Sequence, residues 1–409
     1  MYAEGLVCPK CGARYSFEPP TKCANCDENS FKFSVTYDLS RLSHAVSRDL
    51  FKQRPTSMWR YRELLPVSRD QNIISMGEGW TPLVKTRMLA NKLGTENLFI
   101  KSDYAMPTLS FKDRGSSCVV SKALDLGLKT IALVSSGNAG SSFAAYSARA
   151  GIRCLILVPD FTPSEKLAQI AVYGPKLAKI TATVDQARTF LEKASSDLDV
   201  TPMNTSCLRS YYKEGMKTLA FELCEQFDWN PPEWVLIPSG SGSSLLGVWK
   251  GFDEFRKLGL IERCPKLVAV QTQAAQAIVE RISGTRSFST PQSSKTVATG
   301  LFVRDPPEAE LVVKAIKDSK GTAVAVKEDL ILQAQKDLAK LEGIFAEPSG
   351  AIVIGAVADL IDHGVVDADE RVVCVITGSG LKDVKSARLG VPDPPTISPS
   401  IRELRDILG

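Results

Sequence analysis

Residues 130–159 read TIALVSSGNAGSSFAAYSARAGIRCLILVP. The apolar run TIALV stops at a serine–glycine turn, a small-residue amphipathic stretch follows, and a second run, RCLILVP, closes the unit. Runs rich in Val, Ile and Leu without alternation read as strands buried on both faces, as in a parallel sheet. NLFIK, KLAKITA, EWVLIPS, KLVAVQT, TAVAV and RVVCVIT repeat the pattern, and segments 115–127, 141–151, 214–228 and 328–342 read as helices. Alternation of this kind predicts doubly wound α/β architecture. One open sheet rarely holds so many strands, so two α/β domains are expected.

Composition narrows the function classes. The 409 residues are 44% apolar and 23% charged, with a net charge of +4. Those are values for a folded chain with room for two domains and a small module. The weak net charge, with no block of like charges, argues against a nucleic-acid surface. No stretch reaches the roughly 18–20 apolar residues of a bilayer span, and MYAEGLVCPKCG has no signal-peptide pattern. The expectation is a cytoplasmic protein without a membrane or nucleic-acid partner. Segment 38–75 shows little periodicity. The Pro/Ser-containing VPDPPTISPS precedes a short final helix.

Ten cysteines fall into two groups. Cys118, Cys154, Cys207, Cys224, Cys264 and Cys374 are scattered, mostly through apolar segments, and read as small buried hydrophobes. Cys8, Cys11, Cys23 and Cys26 form CPKC-x11-CANC. Two CxxC turns complete the tetrahedron of a structural Zn²⁺, coordinatively closed and therefore not catalytic. No βαβ pattern surrounds them, which speaks against a redox pair.

Ligands of doubly wound folds bind beyond the carboxyl ends of the strands. Three polar glycine turns take such places: SSGNAGSS (135–142), PSGSGSS (238–244) and TGSG (377–380). PSGSGSS suits an anion cradle, with glycines that let the backbone turn and a following helix that adds its positive end. It is neither a P-loop, lacking Gly-Lys-Ser/Thr, nor GxGxxG, since Leu245 takes the third glycine's place. A fourth polar turn, SFKDRG (110–115), carries Lys112. A lysine at a strand-to-helix turn, an amide-bearing loop, an anion cradle and a late hydroxyl are what pyridoxal phosphate requires. A partly desolvated lysine there has a lowered pKa, as a base must.

MWRYRELLPV (58–67), GEGWTPL (77–83), SFKDRG, SSGNAGSS, EGIFAEPSGA (342–351) and TGSGLKD (377–383) occur in the order found in the threonine synthase family. That family belongs to the tryptophan-synthase-β-like, fold type II pyridoxal-phosphate enzymes. The resemblance covers nearly the whole chain and several family members share the N-terminal CxxC pairs. It implies a zinc ribbon over 1–32, a larger cofactor-binding domain from 33–118 with 220–409, and a smaller domain over 119–219. It implies a homodimer with a small amino-acid substrate, converting O-phospho-L-homoserine and water to threonine and phosphate.

By the same resemblance Lys112 is the Schiff-base lysine. Asn138 bonds the cofactor's ring hydroxyl, Gly240, Ser241, Gly242, Ser243 and Ser244 cradle its phosphate, and Thr377 faces the pyridine nitrogen. Ser110, Arg114, Ser135 and Ser136 fall on the substrate side, the last two near the carboxylate. Four positions depart from the family pattern. Met106 and Leu109 replace asparagine and glycine, an exchange expected to narrow and dry the pocket. Ser379 replaces histidine, and Tyr212 replaces a phosphate-clasping arginine, leaving Arg209 and Lys213 as nearby cations. Two other activities fit the residues: β-elimination or β-replacement on serine, threonine or O-phosphoserine, and a non-catalytic binding protein that keeps the fold.

Overall fold

The computed structural model describes residues 1–162, 164–284, 295–389 and 391–408. The chain begins with an antiparallel ribbon of β1 (Ala3–Val7), β2 (Arg14–Tyr15) and β3 (Ser34–Tyr37), ordered β2-β1-β3. β4 (Leu83–Lys85) and β5 (Leu98–Lys101) start a second sheet. The chain then leaves to build a third from β6 (Thr130–Val134), β7 (Arg153–Pro159), β8 (Lys176–Ile180) and β9 (Thr201–Pro202). It returns with β10 (Trp234–Pro238), β11 (Lys266–Thr272), β12 (Thr322–Val326) and β13 (Val372–Val375). The larger sheet has the order β12-β11-β10-β13-β5-β4, parallel except where β4 pairs antiparallel with β5. The smaller, β8-β7-β6-β9, is wholly parallel.

All eight apolar runs named above are strands. Every residue of β6, β10 and β13 is buried, which is why these segments show no alternation. β8 lies at an edge and exposes Lys176 and Lys179, charges that discourage further pairing. No described helix is long and apolar enough to cross a membrane.

Three helices cross at glycines. The helix Leu208–Gln226 lies between Lys112–Asp125 and Ser243–Lys257. A Cβ on Gly215 would strike the backbone of Arg114 and Gly115, and one on Gly247 would lie 2.6 Å from the Lys213 carbonyl oxygen. Only hydrogen at these positions lets the backbones approach so closely. The domain boundaries expected near 118 and 219 fall inside the first two of these helices. The ribbon rests on the first turns of Leu208–Gln226: Tyr211 donates its hydroxyl to the Phe17 carbonyl, and Ser210 donates to the Ser30 carbonyl at 3.3 Å.

Candidate active site

Strand-to-helix turns of both sheets open onto one cleft of about 560 Å³. Lys112, Ser135, Ser136, Asn138, Arg209, Gly240, Ser241, Gly242, Ser243, Ser244 and Thr377 all line it. These eleven candidates come from segments up to 265 positions apart (377 − 112), brought together by the two sheets.

Lys112 opens the helix Lys112–Asp125. Its turn is knitted to the end of β13: Phe111 N–H donates to the Thr377 carbonyl at 2.9 Å, and Ser379 N–H to the Leu109 carbonyl at 3.1 Å. Asp113 accepts from the Thr108 N–H (2.7 Å) and the Ser142 hydroxyl (2.6 Å), tying the turn to the helix Asn138–Ala150. Lys112 Nζ lies 4.3 Å from the Phe111 ring centroid and 5.6 Å from that of Tyr212. Burial pulls its pKa down to about 8, with Glu347 pushing it up and Arg209 pushing it down.

Asn138 donates its amide to both oxygens of Glu347, at 2.9 and 3.1 Å. Glu347 is buried and caps the helix Pro348–Asp362; burial raises its pKa against the Asn138 bond. In the neighbouring loop, Ser135 Oγ accepts from the Gly140 N–H at 3.1 Å. Across the cleft Gly242 has φ +87°, and a Cβ there would strike Val312, so the cradle is closed to larger residues. Gly242 is the N-cap of Ser243–Lys257, whose first-turn N–H groups have no intrahelical partner. A turn fixed open in this way, with a helix N-terminus and neutral hydroxyls, fits a phosphate.

Three candidates do not reach the cleft. Arg114 is 0% exposed and turns inward, bonding Asp103 Oδ2 (2.8 Å) and both oxygens of Glu222. Ser110 is buried in a backbone bridge with Gly378. Lys213 Nζ is turned to Glu308 Oε1 at 2.8 Å. The expected narrowing by Met106 and Leu109 is also corrected. Met106 is buried with its sulfur accepting from the Gly79 N–H at 3.3 Å, and Leu109 points to the surface. Leu109 keeps φ at +63°, the left-handed conformation that suits a glycine. Ser379, outside the cleft lining, accepts from the Leu381 N–H at 3.3 Å to cap a local turn. Tyr212 does line the cleft, 4% exposed.

Four residues of the site carry no reading from sequence: Arg188, Glu308, Glu347 and Lys382. Glu308 accepts from Ser243 of the cradle (2.7 Å) as well as from Arg209 (2.9 Å) and Lys213. Burial would raise its carboxyl, but Lys213 and Arg209 bring it down to about 2. Lys382 lines the cleft and donates to Ser141 Oγ at 2.8 Å; burial lowers its pKa to about 8. Glu347 and Lys382 do lie within EGIFAEPSGA and TGSGLKD, so motif membership was an available signal. Arg188 and Glu308 lie in no such motif.

In the ribbon, the Sγ atoms of Cys8, Cys11, Cys23 and Cys26 all lie within 4.8 Å of one another. The Cys8–Cys26 and Cys11–Cys23 separations are 3.6 and 3.5 Å. Those are far longer than a disulfide and near the edge of a tetrahedron, about 3.8 Å for Zn–S bonds of about 2.3 Å. The four thiols fit a zinc ion.

The family model described as "Pyridoxal-phosphate dependent enzyme" matches residues 74–378. Threonine synthase of Methanocaldococcus jannaschii is 36% identical over 403 residues, 98% of each chain. That of Methanosarcina acetivorans is 36% identical over 406 residues, again 98% of each. Among solved structures, threonine deaminase isoform 2 of Solanum lycopersicum superposes with a TM-score of 0.65 at 22% identity, covering 83% of this chain and 96% of that one, and shows the shared fold. This chain therefore belongs to the pyridoxal-phosphate-dependent enzymes and, within them, groups with the threonine synthases as a carbon–oxygen lyase.

Proposed function

We propose that the cleft converts O-phospho-L-homoserine and water to L-threonine and inorganic phosphate. The observation that carries this reading is the convergence of Lys112, Asn138, the Gly240–Ser244 cradle and Thr377 on one cleft in a chain alike end to end with threonine synthases. Pyridoxal phosphate, when bound, supplies the electron sink that makes the substrate's Cα proton removable. The cradle and the N-terminus of Ser243–Lys257 hold its phosphate. Asn138, with its amide committed to Glu347, keeps its carbonyl oxygen for the ring hydroxyl. Thr377 is neutral and does not hold a proton at the ring nitrogen, which favours elimination and replacement over transamination.

Lys112, with a pKa of about 8, both anchors the cofactor and moves the Cα proton. Ser135, Ser136 and the start of the helix Asn138–Ala150 receive the substrate carboxylate. We assign Arg114 and Ser110 to the scaffold. Two domains, built on the two large sheets and joined through the crossing helices, enclose the cleft. The ribbon binds structural zinc, and the protein works as a cytoplasmic homodimer, a setting that suits its six scattered free thiols.

Incubation with O-phospho-L-homoserine tests the reading. Threonine and phosphate are expected in equal amounts, and Lys112→Ala is expected to lose ~10³-fold or more of the turnover. Release of a 2-oxo acid and ammonia from serine or threonine as the main activity would replace the reading with β-elimination.

A further inference from the structure

One wall of the cleft carries hydrogen-bond donors that no described residue satisfies. Arg188 Nε, Arg209 Nη2 and the Tyr212 hydroxyl are each buried without a hydrogen-bond partner among the described residues. All three side chains line the cleft. Buried polar groups are almost always paired, and an unsatisfied donor costs the full desolvation of the group. Three such donors on one wall mark the place of an acceptor that arrives with a ligand.

The charges around them set the ligand's sign. Glu308 has both oxygens occupied, one by Lys213 and the other by Arg209 Nε and Ser243, so it fixes Arg209 without satisfying Nη2. Arg188 is paired with Asp185 through Nη1 at 3.1 Å, again leaving Nε free. Lys213, turned away from the cleft, takes one oxygen of Glu308, so Arg188 and Arg209 face the cleft with N–H groups that their carboxylate partners Asp185 and Glu308 leave unused. Burial and the adjacent Arg209 both lower the Arg188 guanidinium pKa, against Asp185, as expected of like charges held together for an anion. Arg209 is only 9% exposed and Tyr212 4%, so these two are built into the wall, while the Arg188 side chain, 40% exposed, stands at its rim with Nε buried.

We propose that Arg188, Arg209 and the Tyr212 hydroxyl form the receptor for the substrate's distal phosphate, with Arg188 the residue that sets specificity for an anionic leaving group. The proposal rests on the cofactor-dependent reading of the cleft given above. Arg188 stands on the helix Val184–Ala194 of the smaller sheet, whereas the cradle for the cofactor's phosphate belongs to the larger. Two phosphate places on different sheets are what a phosphorylated amino acid and a phosphorylated cofactor together need. Tyr212 thus belongs to a rearranged phosphate site supplied by Arg188 from another element.

Inorganic phosphate, the product, is the probe, used with the holoenzyme. Arg188→Gln is expected to raise KM for O-phospho-L-homoserine and Ki for inorganic phosphate together, by about 10- to 100-fold, with kcat within about threefold. Arg188→Lys should recover part of the loss. Tyr212→Phe removes only an unsatisfied hydroxyl, so it is expected to raise KM without lowering the melting temperature. Weakened cofactor affinity with unchanged KM would overturn the proposal by giving these donors to the cofactor's phosphate. Unchanged KM and Ki in Arg188→Gln would overturn it outright. If wild type turns over no O-phospho-L-homoserine, the proposed reaction fails separately, and Arg188-dependent binding of inorganic phosphate to the holoenzyme still supports the anion site.

Discussion

Lys112 carries its amine between two aromatic rings, with burial and Arg209 disfavouring the charge and Glu347 favouring it. Below its pKa of about 8 the amine is protonated and cannot attack an aldehyde; above it the free base dominates. Capture of added pyridoxal phosphate by apoenzyme, followed by visible absorbance, should therefore accelerate with rising pH and level off above about 8. Glu347→Gln should move the inflection lower, because it removes the neighbour that raises the lysine. A capture rate flat from about pH 6.5 to 9 would contradict the assignment. Lys112, Asn138 and Thr377 were legible in the sequence because each sits in a short polar turn beside a buried strand. Glu347 acts on Asn138 from 209 residues away, and no local pattern reports such a distance. Arg114, placed on the substrate side by resemblance, turns inward to Asp103 and Glu222, partners that no local pattern reports either.

Elements were legible where burial is uniform and obscure where charges are buried. β6, β10 and β13 announce themselves as unbroken apolar runs. The helix Leu208–Gln226 starts six residues before the expected 214, and its Glu214, Lys217 and Glu222 are all buried. Each is paired: Lys217 with Glu214 (2.6 Å) and Glu254 (2.8 Å), and Glu222 with Lys101 (2.7 Å). The sequence marks the segment as helical but names none of those partners, which lie on other elements or a turn away. The same helix explains what the ribbon does. Phe31 lies under the Arg209 guanidinium, 5.5 Å away, and the Lys32 carbonyl accepts from Lys213 at 3.3 Å. The ribbon therefore holds Arg209 at one end of the cleft and Lys213 behind it. One equivalent of zinc is expected by metal analysis. Its chelation should unfold residues 1–30, since so short a module needs a staple, and should raise KM while leaving cofactor absorbance in place. Loss of bound cofactor on chelation would contradict this division of labour.

Across the whole molecule, Arg114 is the staple between sheet and helices. It joins Asp103, just beyond β5, to Glu222 of Leu208–Gln226, which Lys101 of β5 also holds, all with fully buried side chains. Burial would raise the Glu222 carboxyl, but Arg114 and Lys101 bring it down to about 2. Its stabilising contribution is therefore complete above its unfolded pKa of about 4.3 and lost as pH falls toward 2. Arg114→Met should cost about 3–5 kcal/mol in denaturant unfolding by leaving Asp103 and Glu222 undercompensated. An unfolding midpoint within error of wild type would return Arg114 to the substrate side.

The cleft's central task is to break the carbon–oxygen bond of a phosphate ester and add water back to carbon. Turnover of O-phospho-L-homoserine in ¹⁸O-water tests that claim most directly, read by mass spectrometry of both products. The account predicts one ¹⁸O in the threonine hydroxyl and none in phosphate at initial rates. Label in phosphate, with homoserine as the other product, would mean phosphorus–oxygen cleavage and would contradict it.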